Sequence, residues 1–568
     1  MSADAQAQPA PGTGGPRRPQ ILFLSPPLPY PKATVREDHI DYFYYRNTLE
    51  QGLFQLRQMH SWHPLHFLAQ NLPVDALVLE NPSWDRLAQA VRSRSWDAVA
   101  ISFTVPLARK VLEMATWLRA NAPGVEIIVG GYGTAIFGED DPLSREIRSH
   151  VDHICQGDGL PFMRDYLYRR FGLDRSQSPR QDLVPTRNGL FRSRWSLFEQ
   201  LNFVGALGCT NCCVFCATAQ QYRGKKIPIA TGRSLYELIH KAAERHPGID
   251  SAIIYDENFL EDREQVLEFM RCLGDDPALL GRLSLTVFSS VRSIARFSTD
   301  ELLRCGIGTI FIGVETALPQ ILDAEKLHKR RGDDLAHLFE RLHSAGICTL
   351  GSMIVGWDGH TPDNIDEDIA SFVALNPTFY QVVPLHPVPG TPLWRRLKAE
   401  QRIVAGYRYE DDGVARSNFL YRHFSNDQIE GRVMTTYRQL VDEGGPWPFR
   451  LAETLGRGAR ALAADPDPRV VARATAYRAL RRRLLPLALV SRLLFRGRGF
   501  RTRWRRAVGE LWRESPAAVV VNFALGLLLL PVLAASRAWG SLRFALSRCG
   551  DQPDTIERRY RDGERVPE

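Results

Sequence analysis

Four cysteines lie within the stretch GALGCTNCCVFCATAQ (205–220): Cys209, Cys212, Cys213 and Cys216. Cys209, Cys213 and Cys216 have the spacing C-x3-C-x2-C. Three thiolates on one short loop can bind three irons of a [4Fe–4S] cluster and leave the fourth iron open. A structural zinc site normally has a fourth protein ligand and a second C-x2-C pair further along the chain, and no such later pair occurs in this sequence. The spacing therefore predicts an iron–sulfur cluster, with Cys212 as the cysteine that is not a ligand.

The cysteine loop follows the first of six predicted strand–helix units. The strands are predicted in NFVGALG, SAIIYDENF, LSLTVFSSV, IGTIFIGVET, CTLGSMIVGW and FYQVVPLHPV, with amphipathic helical patterns between them. Six units over residues 201–400 are too few for an eight-unit barrel but fit an open, partial (β/α)6 barrel. The chemistry of such a barrel lies at the carboxyl ends of its strands, so the position of the loop agrees with its composition.

A second alternation of apolar runs and amphipathic stretches covers residues 20–172. Strands are predicted in QILFLSPP, VDALVLENP, WDAVAISFTV, VEIIVGGYGTA and VDHICQGDGL. Near-continuous apolar strands separated by helices predict a doubly wound parallel sheet, so the fold class is α/β. Ligands of such sheets bind at the carboxyl ends of the strands, where Ser102, Thr104, GGYGTA (130–135) and GDG (157–159) fall.

These motifs resemble the radical SAM superfamily, whose C-x3-C-x2-C signature has an aromatic residue before the last cysteine, here Phe215. The segments DENF (256–259) and GVET (313–316) resemble the ends of the second and fourth strands of that family. The resemblance implies that S-adenosylmethionine (SAM) chelates the open iron and is cleaved to a 5′-deoxyadenosyl radical. It also implies that Phe215, Asp256 and Glu315 contact SAM, with Glu315 as the first candidate carboxylate.

Further segments resemble the cobalamin-binding radical SAM subfamily. They are MIVGWDGHTPDNIDEDIASF, PLHPVPGTPLWRRLKAEQRI and the stretch from AISFTV through GGYGTA to VDHICQGDGLPF. The resemblance covers residues 20 to about 440. It implies a cobalamin-binding-like domain over 20–172 and methyl transfer through cobalamin. The implied cobalamin contacts are Ser102, Thr104, Gly130, Gly131, Thr134 and Gly157.

One motif of many cobalamin proteins is missing. The string D-x-H-x-x-G, whose histidine ligates cobalt, is absent, and the loop after the first predicted strand reads SPPLPYPKATVRED. The lower axial ligand is therefore unassigned. His60, His63 and His66 lie near the expected region, but a lone histidine is more often a surface or core residue than a ligand.

The resemblance leaves three functions open. The first is a cobalamin-dependent C-methyltransferase acting on an unactivated carbon of a hydrophobic, lipid or natural-product substrate, with an electron donor such as flavodoxin or ferredoxin. The second is a radical SAM enzyme that catalyses a rearrangement, coupling or ring formation. The third is a non-catalytic Fe–S or zinc protein tethered to a membrane. For either enzyme, we expect the reaction at the junction between the carboxyl ends of the two sheets.

The basic charge of the chain is concentrated in one region. Between Leu451 and Glu568 there are 23 arginines, no lysine and 11 acidic residues, a net +12 against the overall +8. No groove or recognition-helix motif accompanies the arginines, so nucleic acid is not an expected partner. The clustered cysteines and the absence of an apolar signal segment in residues 1–19, a predicted disordered tail, favour the cytoplasm.

The region 467–568 is predicted to be helical, and it follows a linker at 173–200 and an extension of the catalytic core at 401–466. Eleven arginines lie between Arg478 and Arg506, and Ala517–Ser536 is a run of 20 uncharged residues. This length can cross a hydrocarbon core of ~30 Å, and the arginines favour an anionic lipid surface. We expect association with the inner face of the cytoplasmic membrane. A span, an interfacial helix and a hairpin buried against the barrel all remain open.

Overall fold

The computed structural model describes residues 17–30, 47–59, 61–173, 180–183, 185–190, 198–327, 334–411, 417–546 and 552–566. His60, most of the predicted N-terminal tail and part of the predicted linker lie outside these ranges.

Within the described residues, the strands form two large sheets and one two-stranded sheet. Their bounds are β1 Gln20–Leu24, β2 Arg57–Met59, β3 Asp75–Glu80, β4 Ala98–Ser102, β5 Glu126–Gly130, β6 His153–Ile154, β7 Thr186–Gly189, β8 Phe198–Phe203, β9 Ala206–Leu207, β10 Ile227–Pro228, β11 Ser251–Ile254, β12 Ser284–Ser289, β13 Ile307–Glu315, β14 Cys348–Val355, β15 Phe379–Pro384, β16 Ile556–Arg561 and β17 Glu564–Val566.

The helices connect the strands and then form a C-terminal group. Their bounds are α1 His63–Gln70, α2 Trp84–Arg92, α3 Ala108–Asn121, α4 Pro142–His150, α5 Gly159–Phe171, α6 Ala217–Gln221, α7 Gly232–Arg245, α8 Arg263–Gly274, α9 Pro277–Arg282, α10 Val291–Ile294, α11 Thr299–Arg304, α12 Pro319–Ala324, α13 Leu335–Ser344, α14 Ile365–Ala374, α15 Pro392–Ala399, α16 Asn426–Gly444, α17 Trp447–Ala461, α18 Pro468–Leu494, α19 Arg498–Glu514 and α20 Pro516–Leu546.

The N-terminal sheet has five parallel strands in the order β3-β1-β4-β5-β6. The strand β1, QILFL, lies between β3 and β4 and is buried from Ile21 to Leu24, because helices cover both faces of the sheet. The predicted doubly wound parallel sheet is confirmed. A hairpin of β16 and β17 extends this sheet beyond β3, pairing antiparallel with it from Ile556↔Glu80 to Arg561↔Asp75. This hairpin departs from the prediction that the region 467–568 is helical throughout.

The second sheet contains the predicted partial barrel. Six parallel strands, β8 and β11 to β15, lie side by side in chain order. Beside β8 the sheet continues through antiparallel β7 and β2 and does not close. All six predicted strands and the predicted (β/α)6 architecture are confirmed. Their shared carboxyl edge collects the segments that follow each strand.

The C-terminal helices belong to the barrel core. Arg473 of α18 is buried and donates hydrogen bonds to the carbonyl oxygens of Leu283 (3.0 Å) and Ile307 (2.9 Å), at the amino ends of β12 and β13. Tyr477 and Leu484 of the same helix pack in that core. The helix α18 therefore seals the end of the barrel opposite the cysteine loop.

Candidate functional site

The cysteine loop is closed at its base by a two-stranded clamp. After β8 ends at Phe203, β9 pairs antiparallel with β10, with Leu207 opposite Ile227. Gly208 starts the loop at φ +80°, and a Cβ there would lie 2.1 Å from the carbonyl oxygen of Lys225. Only glycine fits this position. The clamp holds the loop at the carboxyl edge of the barrel.

The three predicted cluster ligands differ from Cys212 in their surroundings. Cys213 is buried beside Leu318, Trp357 and other apolar residues, and Cys216 packs at the edge of the same group. Cys209 is half-buried, and burial raises the pKa of its thiol. Cys212 is exposed and lies at φ +50°. Its sulfur packs directly against Gly224, as shown by the 2.5 Å that would separate Cys212 Sγ from a Cβ on that glycine.

The chemistry of this loop suits an iron–sulfur cluster. Cys209, Cys213 and Cys216 offer three thiols that form no disulfide, with Cys213 and Cys216 beside the apolar wall, and the Asn211 amide donates to Cys209 Sγ at 3.3 Å. Phe215 packs its ring edge-on against Trp357 at 5.6 Å between centroids, which fixes the last cysteine next to the wall. Within the described ranges, no group of three or more His, Cys, Asp and Glu side chains is arranged to hold a single metal ion.

Asp256 follows β11 and supports the backbone that leads into the loop. Its Oδ1 accepts hydrogen bonds from the backbone N–H groups of Gly205 (2.6 Å) and Ala206 (2.9 Å). Burial raises the pKa of this carboxyl to about 6, against the effect of those hydrogen bonds and of the Lys226 ammonium. The side chain of Asp256 therefore positions the entry to the cysteine loop.

Glu315 ends β13 in an unusual backbone conformation. It is buried and lies at φ +62°, and the pairing of β13 with β14 shifts register between Gly313 and Glu315. A non-glycine residue in the left-handed region costs conformational energy, and such strain is concentrated at functional sites. The shift places Glu315 at the carboxyl edge, as the sequence predicts for a SAM contact.

A buried His–Asp pair, which the sequence analysis did not find, holds the segment after Glu315. Asp368 accepts hydrogen bonds from Thr316 Oγ1 (2.6 Å), the Ala317 N–H and His360 Nε2 (2.9 Å). His360 Nδ1 accepts in turn from the backbone N–H of Gly356 (3.0 Å) and Trp357 (3.2 Å), so its Nε2 carries the proton. Both side chains are fully buried. The pair joins the carboxyl ends of β13 and β14.

The predicted cobalamin residues lie together at the carboxyl edge of the N-terminal sheet. Gly131 is at φ +89°, and a Cβ there would lie 2.8 Å from the Phe103 carbonyl oxygen and 3.0 Å from Ser102 Oγ. Thr134 is buried and donates to the Gly131 carbonyl oxygen at 2.8 Å. The remaining members are at the ends of β4, β5 and β6: Thr104, which is exposed, Gly130, and Gly157 at φ +126°.

The two carboxyl edges meet through α6, the helix that begins directly after Cys216. The Tyr132 hydroxyl lies 3.1 Å from Thr218 Oγ1 and donates to Glu257 Oε1 at 3.4 Å. Gln221 Nε2 donates to the carbonyl oxygen of Gly157 at 3.0 Å. The predicted junction between the two sheets is therefore formed by contacts on both sides of the cysteine loop.

At this junction the polar hydroxyl of Tyr132 is hydrogen-bonded to the ionisable carboxyl group of Glu257. Burial of the Tyr132 hydroxyl, together with the nearby Glu257 carboxylate, raises the pKa of Tyr132. Burial also raises the pKa of Glu257 to about 6, and its Oε2 is enclosed without a hydrogen-bond partner among the described residues. Both residues lie inside predicted segments, GGYGTA and DENF, but the sequence analysis selected their neighbours.

The two described histidines near the missing cobalt motif make contacts inside the protein. His66 is buried, with its Nδ1 2.7 Å from the Tyr560 hydroxyl and its Nε2 hydrogen-bonded to Glu80. Both ring nitrogens are therefore used within the N-terminal sheet. The ring of His63 packs at a tilt of 42° against the ring of Tyr255, with 5.5 Å between centroids.

Comparison with known proteins identifies the barrel. Residues 204–372 match the model of the Radical SAM superfamily. The match assigns this segment, 169 of the 568 residues, to a radical SAM domain. The matched segment begins at the end of β8 and contains the cysteine loop, Asp256, Glu315 and the His360–Asp368 pair. A radical SAM domain works with a [4Fe–4S] cluster and SAM.

Two relatives of this chain are named as methyltransferases. One is described as an uncharacterized methyltransferase of Pyrococcus horikoshii and is 21% identical over 331 residues, 56% of this chain and 67% of the relative. The other is the hopanoid C-2 methylase of Rhodopseudomonas palustris, 28% identical over 228 residues, 39% of this chain and 41% of the methylase. The second match thus spans less than half of the relative.

The fold of this chain also resembles a solved structure. The methyltransferase TsrM from Kitasatospora setae, with cobalamin and a [4Fe–4S] cluster bound, superposes with a TM-score of 0.52 at 15% identity. The superposition covers 82% of this chain and 99% of TsrM. The likeness therefore extends over both sheets.

Proposed function

We propose that the protein is a cobalamin-dependent radical SAM C-methyltransferase. The observation that carries the proposal is the meeting of the two carboxyl edges, through Tyr132 with Thr218 and Gln221 with Gly157. A methyl carrier on the N-terminal sheet and a radical source on the barrel must lie on either side of one substrate, and this junction brings their edges together. The methyltransferase names of the relatives and the cobalamin bound by TsrM support the same assignment.

The candidate site residues divide into four groups by their proposed role. Cys209, Cys213 and Cys216 would bind the cluster, and Phe215 and Glu315 would contact SAM. Asp256 would position the cysteine loop through the hydrogen bonds that it accepts from the Gly205 and Ala206 N–H groups. The residues that would hold cobalamin line the N-terminal carboxyl edge: Ser102, Thr104, Gly130, Gly131, Thr134 and Gly157.

The bound cofactors would supply a 5′-deoxyadenosyl radical and a transferable methyl group. The chain must keep these groups apart from water and fixed relative to each other. The apolar wall around Cys213 excludes water from the cluster side, and the His360–Asp368 pair fixes the backbone beside Glu315. The Tyr132–Glu257 pair sets the distance between the two edges.

The substrate class is proposed from the surface of the protein. The helix α20 exposes a large apolar surface, and a hydrophobic, lipid or natural-product substrate would be concentrated where such a surface meets a membrane. We place the enzyme at the inner face of the cytoplasmic membrane, with flavodoxin or ferredoxin as the electron donor.

Anaerobic reconstitution with iron, sulfide and hydroxocobalamin tests the proposal. Wild-type protein should show broad Fe–S absorption and retain the corrin spectrum after gel filtration. With SAM, a reductant and a hydrophobic substrate pool, the product should gain the mass of one methylene group. Loss of two hydrogens would instead indicate coupling or ring formation, and a protein that retains no corrin would contradict methyl transfer through cobalamin.

A further inference from the structure

The helix α20 carries an apolar face that no other described residue of the chain covers. Its segment Pro516–Trp539 is long and apolar enough to cross a membrane, and it is the one such segment among the described residues. Leu528 is 71% exposed. The exposed large side chains, here called the α20 face, are Val520, Val521, Leu525, Leu527, Leu528, Leu529, Val532, Trp539, Leu542 and Leu546. An apolar surface of this extent marks a binding site.

The opposite side of α20 is packed against the protein. A Cβ on Gly526 would lie 2.3 Å from the carbonyl oxygen of Pro486 in α18, so the two helices touch through their backbones. Leu533 is buried in the barrel core, and Arg537 donates a hydrogen bond to the Gln55 carbonyl oxygen. Contacts along both halves of the helix hold it lengthwise on the protein body.

Both ends of α20 are also tied to that body. Glu514, just before the helix, pairs with Arg481 of α18 at 3.7 Å. Nine residues separate the end of the helix from β16, which pairs with β3 of the N-terminal sheet. If α20 crossed a bilayer, its two ends would lie on opposite sides of a ~30 Å core, and the chain with Arg548, Asp551 and Asp554 would have to cross back. The tethering excludes a single crossing.

The charge around α20 is positive. Exposed arginines lie on the preceding helices and their connection: Arg482, Arg483, Arg496, Arg498, Arg505 and Arg513. Three carboxylates of this region are paired with arginines: Glu453 with Arg503, Glu510 with Arg460 and Arg506, and Glu514 with Arg481. Trp512, half-exposed beside Arg513, supplies an aromatic side chain of the kind found at the lipid headgroup level.

We propose that the α20 face is a monotopic membrane-binding surface that lies flat in the interface of an anionic bilayer. This inference rests on the proposed function in one respect, the location of the enzyme at the cytoplasmic membrane. Vesicle binding is measured without turnover, so it tests the membrane-binding surface separately from the proposed reaction. The breadth of the face favours lipid over a second copy of the chain. Leu527, Leu528 and Leu529 are consecutive and all exposed, so the face turns through about 200° of the helix, whereas a two-helix seam is a narrow stripe.

The test uses full-length protein and sedimentation with two kinds of vesicle, phosphatidylcholine alone and phosphatidylcholine with one third phosphatidylglycerol. Wild-type protein should bind the anionic vesicles at least tenfold more tightly, and added salt should weaken that binding. The double variant Leu528→Glu/Val532→Glu should lose at least tenfold in binding. The matched control Tyr168→Glu, at an exposed aromatic of α5, should bind like the wild type.

Two outcomes would overturn the proposal: wild-type protein that stays in the supernatant with anionic vesicles, or a double variant that binds undiminished. A dimer in solution that the double variant dissociates, without vesicle binding, would assign the face to a second copy. Cluster iron and SAM cleavage are measured on the same samples, so failure of the proposed reaction is seen independently.

Discussion

The hydroxyl of Tyr132 lies 3.1 Å from Thr218 Oγ1, two residues after the last cysteine of the cluster motif. This contact joins a turn of the N-terminal sheet to the helix that starts at the cysteine loop. The distance between the two proposed cofactors therefore depends on a hydrogen bond between residues of two different sheets.

Tyr132→Phe should weaken this junction without disturbing either sheet. The variant keeps the ring but loses the hydroxyl that contacts Thr218 and Glu257. At about 1 kcal/mol for each hydrogen bond, product formation should fall roughly fivefold to thirtyfold. Cluster iron should be unchanged. Tyr168→Phe on α5 is the control, and an equal loss in both variants would contradict the role of Tyr132.

Cys212 and Cys213 should behave oppositely despite being neighbours. Cys213 lies in the apolar wall, whereas Cys212 is exposed against Gly224. Cys213→Ala should therefore abolish Fe–S absorption after anaerobic reconstitution, and Cys212→Ser should retain full iron content. The reverse pattern would mean that the ligand register is wrong by one residue.

Glu315→Gln should weaken SAM binding while leaving the cluster in place. A hydrogen bond to a charged group contributes about 1.5–3 kcal/mol, so the dissociation constant of SAM should rise roughly tenfold to a hundredfold. Equilibrium binding to the reconstituted protein measures this change. Glu264→Gln, an exposed carboxylate of α8, serves as the control. Unchanged binding in Glu315→Gln would remove Glu315 from the SAM site.

His360→Ala should destabilise the barrel. It removes the donor to Asp368 and the acceptor for the Gly356 and Trp357 N–H groups, and it leaves a buried carboxylate short of a partner. The expected loss is about 3 kcal/mol in urea unfolding. His337→Ala on the exposed side of α13 should cost far less. Similar losses in the two variants would show that the pair is not a structural support.

Glu257 should make stability depend on pH. The folded-state pKa of about 6 lies above the ordinary glutamate pKa of 4.5, so the folded state binds the proton more tightly. Stability should therefore fall as the pH rises from about 4.5 to 6, by about 2 kcal/mol. Glu257→Gln should raise the unfolding midpoint of the cluster-free protein at pH 7.5, and the gain should shrink at pH 4.5. Glu237→Gln, exposed on α7, should show no such dependence.

Much of the fold could be predicted from the sequence because its signals are local. Buried parallel strands such as QILFL and CTLGSMIV are near-continuous apolar runs, and each run became a strand. The cysteine spacing is equally local. The clamp of β9 and β10 is two residues long on each side and has no apolar period to detect.

The junction and the buried pair could not be predicted, because they join distant segments. Tyr132 reaches Thr218 and Glu257, and Asp368 reaches back to Thr316, only after the sheets form. The strand β16 reads IERRYR, too charged for a buried strand, because it covers a sheet edge. A signal for its hairpin was present in Asp562-Gly563, where both residues have positive φ, as in type I′ turns.

The pairing of β16 with β3 has a consequence during synthesis. The strand β3 exposes an unpaired edge until residues 556–561 have left the ribosome, which takes on the order of a minute after β3 itself is made. Exposed strand edges invite pairing with other chains. The early sheet should therefore be the most aggregation-prone part of the nascent protein, and expression at lower temperature with chaperones should raise the soluble yield. A substitution that breaks the 556–566 hairpin should extend this vulnerable period to the finished chain.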